Sequence, residues 1–124
     1  MTTFGPKEQR QFSRDGYLRL GRIISIGQLQ ALCDRIDAIM LGEVRYEEMS
    51  MQLDATTGSY KDIPASQASD QSATLAYRRV DDLDQDPLFL NYMQHPLFRE
   101  ITRALIGTEV SVFRSMFMNK PAAQ

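Results

Sequence analysis

The sequence predicts a single α+β domain, and three observations predict it. A helical period runs through residues 26–41, where Leu29, Leu32, Cys33, Ile36, Ile39 and Met40 recur at three- and four-residue steps. Runs of strand-forming residues occupy 17–24 and 109–119, the second rich in β-branched and aromatic side chains. Asp86-Pro87 and His95-Pro96 each put a proline where a helix takes one at its first position. The length of 124 residues, 43% of them hydrophobic, suits one domain with a modest core.

In chain order, Pro6 opens a short helix over residues 6–15, and Gly16 is its left-handed stop. The run YLRLGRII, 17–24, reads as a strand. Ser25 and Gln28 have capping-box spacing ahead of the 26–41 helix. Two shorter apolar stretches, 47–53 and 74–80, read as strands. Between them residues 54–73, rich in Ser, Ala, Asp, Gly and Pro, have no period of either kind; so long a loop in a compact domain suggests a lid or substrate wall. Consecutive helices then follow at 87–94 and 96–106, the second ended by Gly107. In the last strand, 109–119, Val110, Val112, Met116 and Met118 fall on one face and Phe113 and Phe117 on the other. A strand apolar on both sides calls for a covering layer over each.

Charge and composition exclude several classes of partner. The formal net charge is −2, with Lys and Arg scattered among the acids, so no basic stripe offers itself to nucleic acid or to an anionic membrane surface. No apolar run approaches the roughly 18 residues of a membrane span, and the first residues have no apolar core followed by a small-residue cleavage site. Cys33 is the only cysteine, and no Asn-x-Ser/Thr acceptor occurs, so the expected location is cytoplasmic.

Most chemistry-bearing candidates have plainer readings. Asp82, Asp84 and Asp86 occupy the first three ligand positions of an EF-hand loop, but Pro87 stands where the glycine belongs and Met93 where the glutamate belongs. Acids before a helix N-terminus explain them better. His95, directly before a helix-starting proline, reads as a cap. Cys33 on an apolar helix face reads as a buried, inert thiol, and the methionines at 40, 93, 116 and 118 as core fillers. No phosphate loop and no zinc spacing occurs.

The order of elements, with DGYLRLGRIISIGQLQAL at 15–32, YRRVDDLDQDPLFLNYMQHPLFREITRALIGTEV at 77–110 and RSMFMNKP at 114–121, resembles the N-terminal half of the phytanoyl-CoA dioxygenase family over nearly the whole chain. The resemblance implies an iron(II)- and 2-oxoglutarate-dependent oxygenase built on a double-stranded β-helix, a distorted jelly roll with helices on one side. Here that fold would be incomplete: N-terminal helices plus first strands, with residues 1–124 the N-terminal part of one such domain. It implies a facial triad of two histidines and a carboxylate. In the family an Asn-Lys-Pro-like segment leads into the strand that bears His-x-Asp, and this chain ends before that motif. With one histidine among its 124 residues it cannot furnish the triad, so the resemblance assigns it no catalytic residue and no metal ligand, and the chain alone is expected to bind neither iron nor 2-oxoglutarate and to be inactive.

Two positions carry over as cofactor-binding residues. Arg79 matches a basic residue that reaches toward 2-oxoglutarate, and Met116 matches a methionine lining the same pocket. A diacid calls for a cation near a carboxylate, and a thioether gives an adaptable apolar wall. Some relatives have lysine where Arg79 stands, which changes the hydrogen-bond geometry. Arg78 is the neighbouring alternative, since adjacent strand residues face opposite ways. Without the resemblance the pair reads as exposed basic residues and Met116 as core. The substrate would be a small molecule of open identity. The competing reading is a stand-alone interaction module that binds a partner through the 26–41 helix or through the 109–118 strand, the latter by strand addition at an uncovered edge. On either reading the 109–118 strand makes the isolated chain prone to self-association. Analytical ultracentrifugation is expected to show oligomers at micromolar concentration; a monodisperse, cooperatively melting monomer contradicts this.

Overall fold

Of the four α-helices among the described residues, three begin where a side chain accepts from a first-turn N–H. The structure, a computed structural model, describes residues 3–53, 62–64 and 73–120. Helix α1 spans Pro6–Asp15, with Glu8 Oε2 reaching back to the Gly5 N–H, and it stops at Gly16, φ 78°. Helix α2 spans Ile26–Met40 behind the expected capping box, in which Ser25 Oγ accepts from the Gln28 N–H at 3.1 Å and Gln28 Oε1 accepts from the Ser25 N–H at 2.9 Å. Helices α3, Pro87–Met93, and α4, Pro96–Leu105, both start at their prolines. His95 caps α4 as expected, its Nδ1 accepting from the Leu97 N–H at 3.1 Å.

Four short strands make an antiparallel sheet: β1 Ser50–Leu53, β2 Asp62–Pro64, β3 Tyr77–Asp81 and β4 Met116–Met118, in the order β2-β1-β3-β4. The chain is therefore mixed helix and strand, as the α+β expectation holds. One cross-strand row joins Met51, Val80 and Phe117. On that side lies the core, where Met49, Met51, Tyr77 and Val80 meet Ile36, Ile39 and Met40 of α2, with Phe89 and Met93 of α3 packed alongside. Burial of these side chains supplies most of the driving force, about 1.5–3 kcal/mol for each large one.

The helix layer is tied to the sheet at Asp86, which is 0% exposed. Its Oδ1 accepts from the N–H groups of Leu88 at 2.8 Å and Phe89 at 3.4 Å, capping α3. Its Oδ2 accepts from the Tyr46 hydroxyl at 2.6 Å and faces Arg35 Nε of α2 at 3.7 Å. One carboxylate thus holds two helices and the connection between α2 and β1.

Several boundaries differ from the sequence reading, each for a visible reason. Residues 17–24 form no strand among the described residues: Gly21 takes φ 71° and breaks the run. The 47–53 strand starts only at Ser50, after a turn closed by Met49 N–H on the Tyr46 carbonyl. The 74–80 strand shifts to 77–81, since Thr74 Oγ1 holds the Ala76 N–H in a turn. The 54–73 loop is not structureless: β2 lies within it and pairs with β1. Residues 54–61 and 65–72, on which the lid expectation rests, lie outside the described residues.

The 109–119 strand shortens to 116–118. Its partner β3 ends at Asp81, opposite Met116, and Asp82 turns the chain away in a left-handed conformation, φ 60°, into a 3-10 turn at Leu83–Gln85. Residues 109–115 are left without a ladder, held by Asp82 N–H on the Ser115 carbonyl and by Ser115 Oγ on Asp84 Oδ1 at 2.6 Å. Cys33 is exposed, contrary to expectation, because only the C-terminal half of α2 is buried. Met116 and Met118 are exposed too, so neither fills the core.

The tie at Asp86 generates a stability prediction. Asp86→Ala removes a cap and strands the Tyr46 hydroxyl and the Arg35 charge, and is expected to cost about 3 kcal/mol in urea unfolding. Tyr46→Phe is expected to cost about 2 kcal/mol at pH 8. Burial, the hydrogen bond to Asp86 and that residue's charge raise the Tyr46 phenol above its ordinary value. The folded state therefore favours the protonated phenol, and its contribution is full below about pH 10 and lost as pH rises through the raised value. The margin of wild type over Tyr46→Phe should shrink in alkali; a margin independent of pH contradicts the assignment.

Candidate anion-binding face

The face of the sheet turned from the helices carries the charged groups. Strand β3 holds one residue more than its partner: Gln52 pairs with Arg79 and Leu53 with Tyr77, leaving Arg78 as a bulge. A regular strand would put Tyr77 and Val80, three residues apart, on opposite faces. With the bulge both are fully buried, at 0% exposure. Arg79 and Asp81, two residues apart beyond the bulge, then share the other face.

There Arg79 Nε donates to Asp81 Oδ2 at 2.9 Å. Across the β3–β4 pairing, Met118 stands opposite Arg79 and Met116 opposite Asp81. Arg114, two residues before Met116, approaches from beyond the end of β4, its Nη2 3.8 Å from Asp81 Oδ1. That oxygen is buried and accepts no hydrogen bond. Asn119 braces the edge: its N–H donates to the Arg78 carbonyl at 2.8 Å and its Nδ2 to the carbonyls of Tyr77 and Leu75 at 2.9 and 3.1 Å. The free edge of β4 also borders a groove of about 430 Å³ whose apolar wall includes Leu32, Phe89, Tyr92, Met116 and Phe117.

Both residues carried over from the family resemblance, Arg79 and Met116, therefore lie on one sheet face, two cross-strand rows apart. The ion pair with Asp81 places Arg79 on this face, and Arg78 is the bulged residue. The sequence reading missed Asp81 and Arg114. Alternation could have found them, since Arg79 and Asp81, and likewise Arg114, Met116 and Met118, are spaced by two. Among the described residues no group of three or more His, Cys, Asp and Glu side chains is placed to hold a metal ion. The one histidine caps α4, so these residues do not fit an iron site by themselves. Among the described residues no helix is long and apolar enough to cross a membrane.

No protein-family model, curated protein or solved structure matches the chain.

Asp82, on the turn beside this face, generates a pH-dependent prediction. Desolvation and the neighbouring Asp81 and Asp84 raise its carboxyl above the usual range. The folded state thus favours protonated Asp82, a contribution full below about pH 4 and lost as pH rises, so the ionised group is unfavourable at pH 7. Asp82→Asn also suits the left-handed backbone at this position. It is expected to stabilise the fold at pH 7 by about 0.5 kcal/mol, discounted for solvent screening, with the electrostatic part absent at pH 3. Thermal melts at the two pH values check this; destabilisation at pH 7 contradicts it.

Proposed function

We propose that this chain is the N-terminal part of an iron(II)- and 2-oxoglutarate-dependent dioxygenase of the phytanoyl-CoA dioxygenase type, acting on a small molecule in the cytoplasm. The observation that carries the reading is the shared sheet face of Arg79 and Met116, opposite the core row Met51–Val80–Phe117. In a double-stranded β-helix with helices packed on one side, that face is the one that would look into the barrel. A cation beside a thioether there suits a short diacid with an apolar spacer.

The iron ligands would come from outside these 124 residues, which hold one histidine. Bound iron would supply the oxidative decarboxylation of 2-oxoglutarate that drives hydroxylation of substrate. The share of this chain would be to hold the diacid and to wall off water.

The exposed edge strand favours a second reading, a non-catalytic module that recognises a partner by strand addition. Met116 and Met118 are open at that edge, and Phe113 beside it is 98% exposed. The coding sequence beyond codon 124 separates the two. The oxygenase reading expects a downstream His-x-Asp, a later histidine and an arginine, and the encoded full-length protein should release succinate from 2-oxoglutarate with iron(II). A stop at codon 125, or a complete protein without such turnover under any candidate substrate, contradicts it.

A further inference from the structure

Helix α4 and the segment 110–112 border a cavity of about 550 Å³, a size that suits a small-molecule site. Its apolar lining includes Leu90 and Met93 of α3 and Phe98 of α4. Val112 lines it too and is 54% exposed, apolar surface that a ligand would cover. The cavity holds charges of both signs on separate elements, Arg99 on α4 and Asp84 on the 3-10 turn. Among the described residues no ion pair joins the two, and none engages Arg99. Asp84 Oδ1 accepts from Ser115 Oγ at 2.6 Å, which leaves Oδ2 unshared among the described residues. His95, one turn before Arg99 on α4, adds a donor. Its Nδ1 is committed to the Leu97 N–H at 3.1 Å, so the neutral ring carries its proton on Nε2, which has no acceptor among the described residues.

We propose that this cavity binds a zwitterion with an apolar body, in the class of free apolar dipeptides, its carboxylate on Arg99 and the His95 Nε2–H, its ammonium on Asp84, and its side chains against Phe98, Met93 and Val112. A ligand of one sign fits less well. An anion would meet the Asp84 carboxylate and a cation the Arg99 guanidinium, whereas a zwitterion pairs with both. A dipeptide separates its charged ends by up to about 7 Å, long enough to bridge two side chains too far apart to pair with each other. Its peptide group finds partners of both kinds. Thr102 Oγ1 gives its hydrogen to the Phe98 carbonyl at 2.9 Å and keeps lone pairs to accept, and the Ser111 hydroxyl and Gln94 amide line the same cavity. None of these residues has a part in the oxygenase reading.

Saturation-transfer NMR on the 124-residue chain tests this with three probes: the dipeptide Leu-Phe, its N-acetyl form, which lacks the ammonium, and its C-terminal amide, which lacks the carboxylate. Leu-Phe should bind saturably, and each blocked form about fivefold more weakly, as expected for losing one partly screened ion pair. Asp84→Asn, which keeps an acceptor for Ser115, should erase the preference over the N-acetyl form and leave the preference over the amide. Arg99→Gln should do the converse. His95→Asn, which keeps a capping oxygen, should weaken Leu-Phe and its N-acetyl form but not the amide. Amide spectra of each variant establish that it is folded, and a merely structural role would lower all three affinities alike. Absence of saturable Leu-Phe binding, a preference that survives its matched substitution, or a parallel fall in all three affinities overturns the assignment.

Discussion

A single extra residue in β3 decides which side of the sheet is core and which is chemistry. The Arg78 bulge lets Tyr77 and Val80 both turn inward to α2, and it thereby sends Arg79 and Asp81 together to the opposite face. Without it one of two outcomes would follow: a buried arginine, which is expensive unless paired, or a tyrosine lost from the core. The row Met51–Val80–Phe117 is fully apolar, while the row beside it, Gln52–Arg79–Met118, mixes polar and apolar groups, so a slip of β3 by one residue would turn its charged side chains inward.

The helix layer depends on a different device. Asp86 gathers the α3 N-terminus, Tyr46 and Arg35 around a carboxylate that no water reaches, and it sits five residues beyond Asp81. The short acidic run 81–86 thus has three separate assignments: Asp81 to the arginines, Asp84 to Ser115 and Asp86 to the helices. Asp82, left in the left-handed turn, is the one that electrostatics disfavours. The turn is what couples the two faces, since Ser115 on the approach to β4 anchors there and positions Arg114 and Met116 beyond it.

Helix starts were the most legible part of the fold in the sequence, because Ser25, Pro87 and Pro96 act through contacts within one turn of themselves. The strands were less so. Residues 17–24 and 109–115 have strand composition but join no ladder among the described residues, and strand pairing is a tertiary matter. Strand β2 was missed for the converse reason: Asp62–Pro64 has no strand pattern and is held by register with β1. Cys33 and Leu29 have the period of a buried helix face yet stand exposed, since α2 meets the sheet only through its C-terminal half. At the candidate site, the resemblance led to Arg79 and Met116, and simple alternation from those two would have reached Asp81 and Arg114; the bulge at Arg78, which no local pattern announces, was not legible.

The central claim is that the sheet is two-faced, with Met49 and Met51 sealed against helices and Met116 and Met118 open beside Arg79. Methyl NMR of the chain with a soluble, neutral gadolinium chelate tests it most directly. The account predicts strong paramagnetic broadening of the Met116 and Met118 methyls and none of Met49 and Met51. Equal protection of all four, or broadening of Met51, would contradict the sidedness on which the anion-binding face rests.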